Sequence, residues 1–170
     1  MTAQFRLVIL ILLLPILLAG CATSPDPLED SVRFHIWQHR LGLPTDDMAA
    51  FAVTDQTLMI RYQDGARLAV SLIDFISEAV PQDISLTTYM AQLYGDSEPT
   101  DPDLRQARSI IDDEVVARNQ IAQGELTIYQ LVYEDRSSAF VLDSNSDTHY
   151  LMIDADGRSL ERVLETITRR

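Results

Sequence analysis

The sequence predicts an α+β fold in which a mainly antiparallel β-sheet is covered by helices. Three observations carry this. Short runs that alternate apolar and polar residues are joined by tight-turn pairs such as Asp64-Gly65 and Gln123-Gly124. Helical periodicity appears in separated, short stretches. The connections are too short for many parallel crossovers, so neighbouring strands should run antiparallel.

The first element expected is a helix over residues 27–41. Asp26 can cap it, Pro27 suits its first position and Glu29 completes a capping box. Leu28, Val32 and Ile36 recur every four residues, and Phe34, Trp37 and Leu41 fill the adjoining stripe. Gly42 then fits the position just past a helix end, with Pro44 beyond. Ala49–Thr54, Thr57–Tyr62 and Arg67–Leu72 read as strands, the last two flanking the Asp64-Gly65 turn. Residues 84–94 read as a helix with Leu86, Tyr89, Met90 and Leu93 on one face and Gly95 after it.

The acidic, Pro-rich segment 97–103 is a loop, and Asp101-Pro102 opens a second helix to about Ile111. A meander follows: Val115–Ile121, Leu126–Tyr133, Ala139–Leu142 and His149–Ile153. A closing helix over 158–168 carries Leu160, Val163, Leu164 and Ile167 on one side. Over residues 115–168 the stretches GELTIYQLVYE, SSAFVLDS, HYLMID and RSLERVLETI follow in an order that resembles the PsbP/Mog1-like α/β/α sandwiches. The resemblance lies in the pattern of elements. It implies an α/β/α sandwich and a non-enzymatic binding or accessory role, as in a family that includes bacterial lipoproteins.

The beginning of the chain reads as an address. Arg6 supplies a positive start, residues 7–18 are unbroken apolar, and small residues precede Cys21. As a helix, residues 7–20 reach only ~21 Å against a ~30 Å hydrocarbon core, and Pro15 interrupts them. Leu18-Ala19-Gly20-Cys21 resembles the lipobox of bacterial lipoproteins at all four positions. That resemblance implies diacylglycerol on the Cys21 sulfur and cleavage before it, with Leu18, Ala19 and Gly20 read by the signal peptidase. It also implies acylation of the new amine; together these chains anchor stably, where one alone is marginal. Ala22 follows in place of the Asp that favours the inner membrane in enteric-type bacteria. The expectation is therefore an outer-membrane lipoprotein facing the periplasm. The organisation expected is a cleaved leader 1–20, a lipidated tether 21–27 with its Pro-rich ATSPDP stretch, and a single periplasmic domain over 28–170.

Composition excludes several functions. All 13 cations are Arg, and residues 21–170 hold 12 of them against 26 acidic residues, a net of −14. Such a surface repels nucleic acid and anionic headgroups, so neither is an expected ligand. Cys21 is the lone cysteine, so no internal disulfide can form and no other thiol ligand exists.

Candidate sites are few. His35 and His39 lie four apart and would share one face of the first expected helix, as a metal pair would. Asp143, Asn145 and Asp147 have the spacing of the first three ligands of a calcium loop. Thr148 stands where that loop needs Gly, and Asp154 where it needs Glu. A solvated hairpin turn accounts better for them. The acidic runs Asp46-Asp47 and Asp112-Asp113-Glu114 read as solvated faces. Phe34, Trp37, Tyr89, Tyr94, Tyr129, Tyr133 and Tyr150 read chiefly as core. With no G-x-S-x-G, no H-E-x-x-H and no phosphate-cradling glycine loop, no catalytic residue is assigned and no cofactor is expected beyond the lipid on Cys21. The function expected is a non-catalytic accessory or protein-interaction role in the envelope. A small-molecule or metal-ion binding lipoprotein is the alternative, and an envelope hydrolase the third reading.

Overall fold

The structure, a computed structural model, describes residues 31–75, 84–156 and 159–169. The expected leader, lipobox with Cys21 and tether lie outside the described residues.

Ten strands and three helices make up the described chain: β1 (Ser31–Ile36), β2 (His39–Pro44), β3 (Met48–Val53), β4 (Thr57–Tyr62), β5 (Arg67–Asp74), α1 (Leu86–Leu93), α2 (Pro102–Asp112), β6 (Ala117–Gln123), β7 (Leu126–Val132), β8 (Ser137–Asp143), β9 (His149–Ala155), α3 (Ser159–Thr166) and β10 (Thr168–Arg169). Seven strands form one antiparallel sheet in the order β3-β4-β5-β9-β8-β7-β6, and β1-β2-β10 form a second, small sheet. The hairpin turns carry their signature residues. Gly65 and Gly124 sit at φ 91° and 62°, which a side chain would resist. Asp64 Oδ1 accepts the Ala66 N–H at 2.9 Å. The helix starts are capped as local chemistry dictates: Ser85 Oγ accepts from Thr88 N–H, and Asp101 Oδ1 from Asp103 and Leu104 N–H, with Pro102 next in line.

Two corrections follow. The segment expected to be a helix over 27–41 is, in its described part, the β1–β2 hairpin. Val32 and Ile36 fit a four-residue period, but with Phe34 between them they also fit a two-residue one, and pairing with Leu43, Leu41 and His39 uses the latter. Gly42, read as a helix stop, lies mid-strand. A Cβ there would meet the Thr166 side chain at 3.0 Å, so the glycine marks close approach of α3. The second correction is to the fold class. Strands take 48% of the described residues and short helices 21%, so the chain is sheet-dominated and is not the expected α/β/α sandwich. The hairpin occupies the face on which a long helix was needed.

The large sheet separates two cores. On one face Leu58, Ile60, Leu68, Val70, Ile128, Val141, Leu151 and Ile153 pack against Leu41 and Leu43 of β2 and Leu160, Val163, Leu164 and Ile167 at the C-terminal end. On the other, Tyr129, Leu131, Phe140 and Leu142 pack beneath Leu86 and Met90 of α1. This second layer covers the β7–β8–β9 half of its face. The β3–β4–β5 half carries exposed Met59, Arg61 and Arg67.

Candidate functional site

Among the described residues the large sheet has two edges, β3 and β6, and the chemistry of β3 sets it apart. Ala49, Ala50, Phe51, Ala52 and Val53 are all exposed, Phe51 by 64% and Val53 by 65%. None is charged. The opposite edge, β6, holds Arg118, Asn119, Gln120 and Gln123. Natural edge strands are usually blunted by charge, proline or a covering segment, because unpaired N–H and C=O groups recruit another strand. Here the blunting is limited to a bulge at Ala49, where pairing to β4 shifts between Met48 and Ala50. The bulge lets Met48 pack on the core while the rest of β3 stays outside it.

Register then assigns each β3 residue a face. Ala50 stands opposite Arg61, and Ala52 opposite Met59; in the next pairing Arg61 faces Arg67 and Met59 faces Ala69. These residues line a shallow trough of about 460 Å³ floored by alanines. Phe51 and Val53 point the other way. Val53 joins Phe34, Ile36, Trp37, Leu58 and Leu72 in a second apolar groove of about 400 Å³.

Trp37 forms the lip of that groove, 40% exposed and held at φ 53° in the β1–β2 turn. A bulky residue rarely adopts that conformation. Ring contacts hold it there: His149 lies 5.0 Å away in a tilted stack, and buried His39 packs edge-on at 5.8 Å. His149 Nε2 is 2.8 Å from Asp74 Oδ1, and its Nδ1 is 2.6 Å from Thr148 Oγ1. Hydroxyl and carboxylate thus hold the imidazole from its two ring nitrogens. The hydroxyl comes from the residue next to the histidine, and the Trp37 ring stacks against the imidazole.

The candidate metal pair is not assembled. His35 lies opposite Arg40 and His39 opposite Ile36, so adjacent pairings send the two rings to opposite faces of the hairpin, one exposed and one buried. Asp143 is buried at the end of β8, where Oδ1 accepts both the backbone N–H and the side-chain amide of Asn145. Ser146 closes the same loop on His149, and Asp147 is exposed. These residues build the β8–β9 turn. Among the described residues, no three His, Cys, Asp or Glu side chains come together as a metal site would require.

The acidic runs find basic partners. Asp112 pairs with Arg108 and Arg118, Glu114 with Arg136, and Asp46 with Arg162. Arg118 also donates to the Tyr94 carbonyl and so ties β6 to the end of α1. Of the tyrosines, Tyr94 stacks on Phe140 with ring centres 3.8 Å apart, and Arg136 lies over Tyr133. Burial, helped by nearby Tyr150, Tyr89 and Tyr133, pushes the Tyr94 hydroxyl far above the ordinary tyrosine value. Burial is also the largest cause of the rise at Tyr89, Tyr129, Tyr133 and Tyr150.

Sequence reasoning missed the edge. Ala49–Thr54 is legible as a strand, but which strand ends a sheet is set by pairings far apart in the chain. The absence of any charge from Met48 to Val53 was the available signal. No known protein-family model matches the chain, and comparison with curated proteins gives no match.

Proposed function

We propose that this chain is a lipid-anchored envelope protein that holds a protein partner by adding a strand of that partner to its sheet. The observation that carries the proposal is the open β3 edge, uncharged and exposed along Ala49–Val53. A strand added there gains backbone hydrogen bonds, and alternate side chains give specificity. The role is non-catalytic. The location rests on Leu18-Ala19-Gly20-Cys21: acyl chains on Cys21 hold the domain at the periplasmic face of the outer membrane.

The test is site-specific crosslinking in cells expressing the full chain. A photoreactive residue at Phe51 should capture one partner band, and the same residue at Gln120 on the opposite edge should not. Adding Ala52→Lys should abolish the band. Cys21→Ser should release the protein from the membrane and remove acyl labelling. No Phe51-specific band, or one indifferent to Ala52→Lys, overturns the reading. A second reading, binding of a small apolar molecule, is favoured by the groove between β1 and β4 with Trp37 at its lip. Such a ligand would raise the melting temperature of the purified protein and quench Trp37.

A further inference from the structure

We infer that the partner strand captured by β3 carries an acidic residue in the row of Ala50, its carboxylate held by Arg61 with Arg67 behind it, and apolar residues on its other face. This inference rests on the edge-pairing reading and names the chemistry of the partner. The register places Arg61 of β4 directly opposite Arg67 of β5, with Ala50 of β3 next in the same row. Like charges placed directly opposite repel, so the pair weakens the sheet it sits in. Both side chains are exposed, and neither forms an ion pair among the described residues. That stands out in a chain with 26 acidic residues against 13 Arg.

Asp154 and Asp156 follow Arg67 across the sheet, and each accepts a hydrogen bond. Asp154 shares the face, opposite Ala69, and accepts the Ser138 hydroxyl at 2.5 Å. Asp156 accepts the Arg67 backbone N–H at 3.1 Å. Among the described residues, neither guanidinium group is ion-paired with these carboxylates. A strand paired to β3 would run two strand spacings, ~10 Å, from Arg61. Only Ala50 intervenes in that row, so an acidic side chain on the added strand and Arg61 can meet across it. Side chains alternate between faces. Every other residue of the added strand therefore falls on the side of Phe51 and Val53, where apolar residues would cover them. The surface asks for an acidic residue in the Ala50 row, an apolar one beside Ala52 and Met59, and apolar ones on the face of Phe51 and Val53.

The experiment uses the full chain in mild detergent and labelled octapeptides that alternate glutamate with valine or lysine with valine. Fluorescence anisotropy should show the glutamate peptide binding about tenfold more tightly than the lysine peptide at low salt. The Arg61→Glu/Arg67→Glu double variant should reverse the order. Both sites are exposed, and circular dichroism checks that the fold is kept. A glutamate peptide methylated on alternate backbone nitrogens keeps its charges but cannot add a strand, so its binding should fall away.

Equal binding of the two unmethylated peptides, with loss on methylation, overturns the acidic preference and leaves edge pairing standing. Arg-dependent binding of the methylated peptide overturns edge pairing and leaves an anion site. If neither peptide binds and phosphatidylglycerol vesicles are held through Arg61 and Arg67, a lipid surface replaces the peptide and the inference fails. Sedimentation showing Arg-dependent dimers and no peptide binding puts a second copy there, and the inference fails likewise.

Discussion

The Thr166 hydroxyl stands against the backbone of Gly42, 124 residues away. Its oxygen accepts the Gly42 N–H at 2.8 Å and lies within bonding distance of the Gly42 and Val163 carbonyls, at 3.1 and 2.8 Å. This contact fixes the last turn of α3 on β2 and needs both the hydroxyl and the missing side chain.

Thr166→Val keeps the shape and removes the hydroxyl, leaving the Gly42 N–H without that acceptor. The expected cost is about 1–2 kcal/mol in urea unfolding. Gly42→Ala should cost about 1–3 kcal/mol by crowding Thr166, with the new Cβ at 3.0 Å. The double variant should be less unstable than the sum of the two, since both act on one contact.

Alkaline unfolding should begin near the ordinary tyrosine pKa. Burial raises the Tyr94 pKa in the folded protein, so the folded state keeps a proton that the unfolded chain releases. The stability this provides is complete below about pH 10. It is lost as pH climbs from there through the raised value. Tyr94→Phe should flatten that loss in chemical denaturation curves recorded between pH 9 and 11. Tyrosinate absorbance in the folded wild type should appear later than in urea.

Trp37 is the only tryptophan, so its emission reports the β1–β2 turn alone. His149→Ala removes the ring stacked on it at 5.0 Å and exposes more indole to water. The emission maximum should shift to longer wavelength while the far-ultraviolet circular dichroism is unchanged. An unshifted spectrum would mean that the stack is not held in solution.

Phe51→Lys places a charge on the open edge where wild type has none. Phe51 is mostly exposed, so stability should change by less than about 0.5 kcal/mol. Solubility at high protein concentration should rise, because a charged edge resists pairing with another chain. Ile121→Lys on the polar edge β6 should give a smaller gain.

How much of the fold could be read in advance depends on how local its causes are. The strands at Thr57–Tyr62 and Arg67–Leu72 follow from alternation around Asp64-Gly65, and the start of α2 from Asp101-Pro102. Residues 31–44 misled because Val32 and Ile36 fit two periods, and the turn between them uses Trp37 and Gln38 in place of the usual glycine or asparagine. The site was less legible. His35 and His39 attracted attention by spacing that only a helix would make useful, whereas Arg61 and Arg67 face each other because of a turn and a register.

By itself the sequence determined the Asp101 cap, the glycine turns and the apolar faces of the later strands, because each depends on residues within a few positions of one another. The tertiary structure alone decided that 31–44 is a hairpin over the first core, that β3 is an edge of the large sheet, and that Ala50, Arg61 and Arg67 share one row. Those outcomes depend on which strands pair and in what register. Pairing trades chain entropy against burial across the whole molecule, and no local pattern carries that sum.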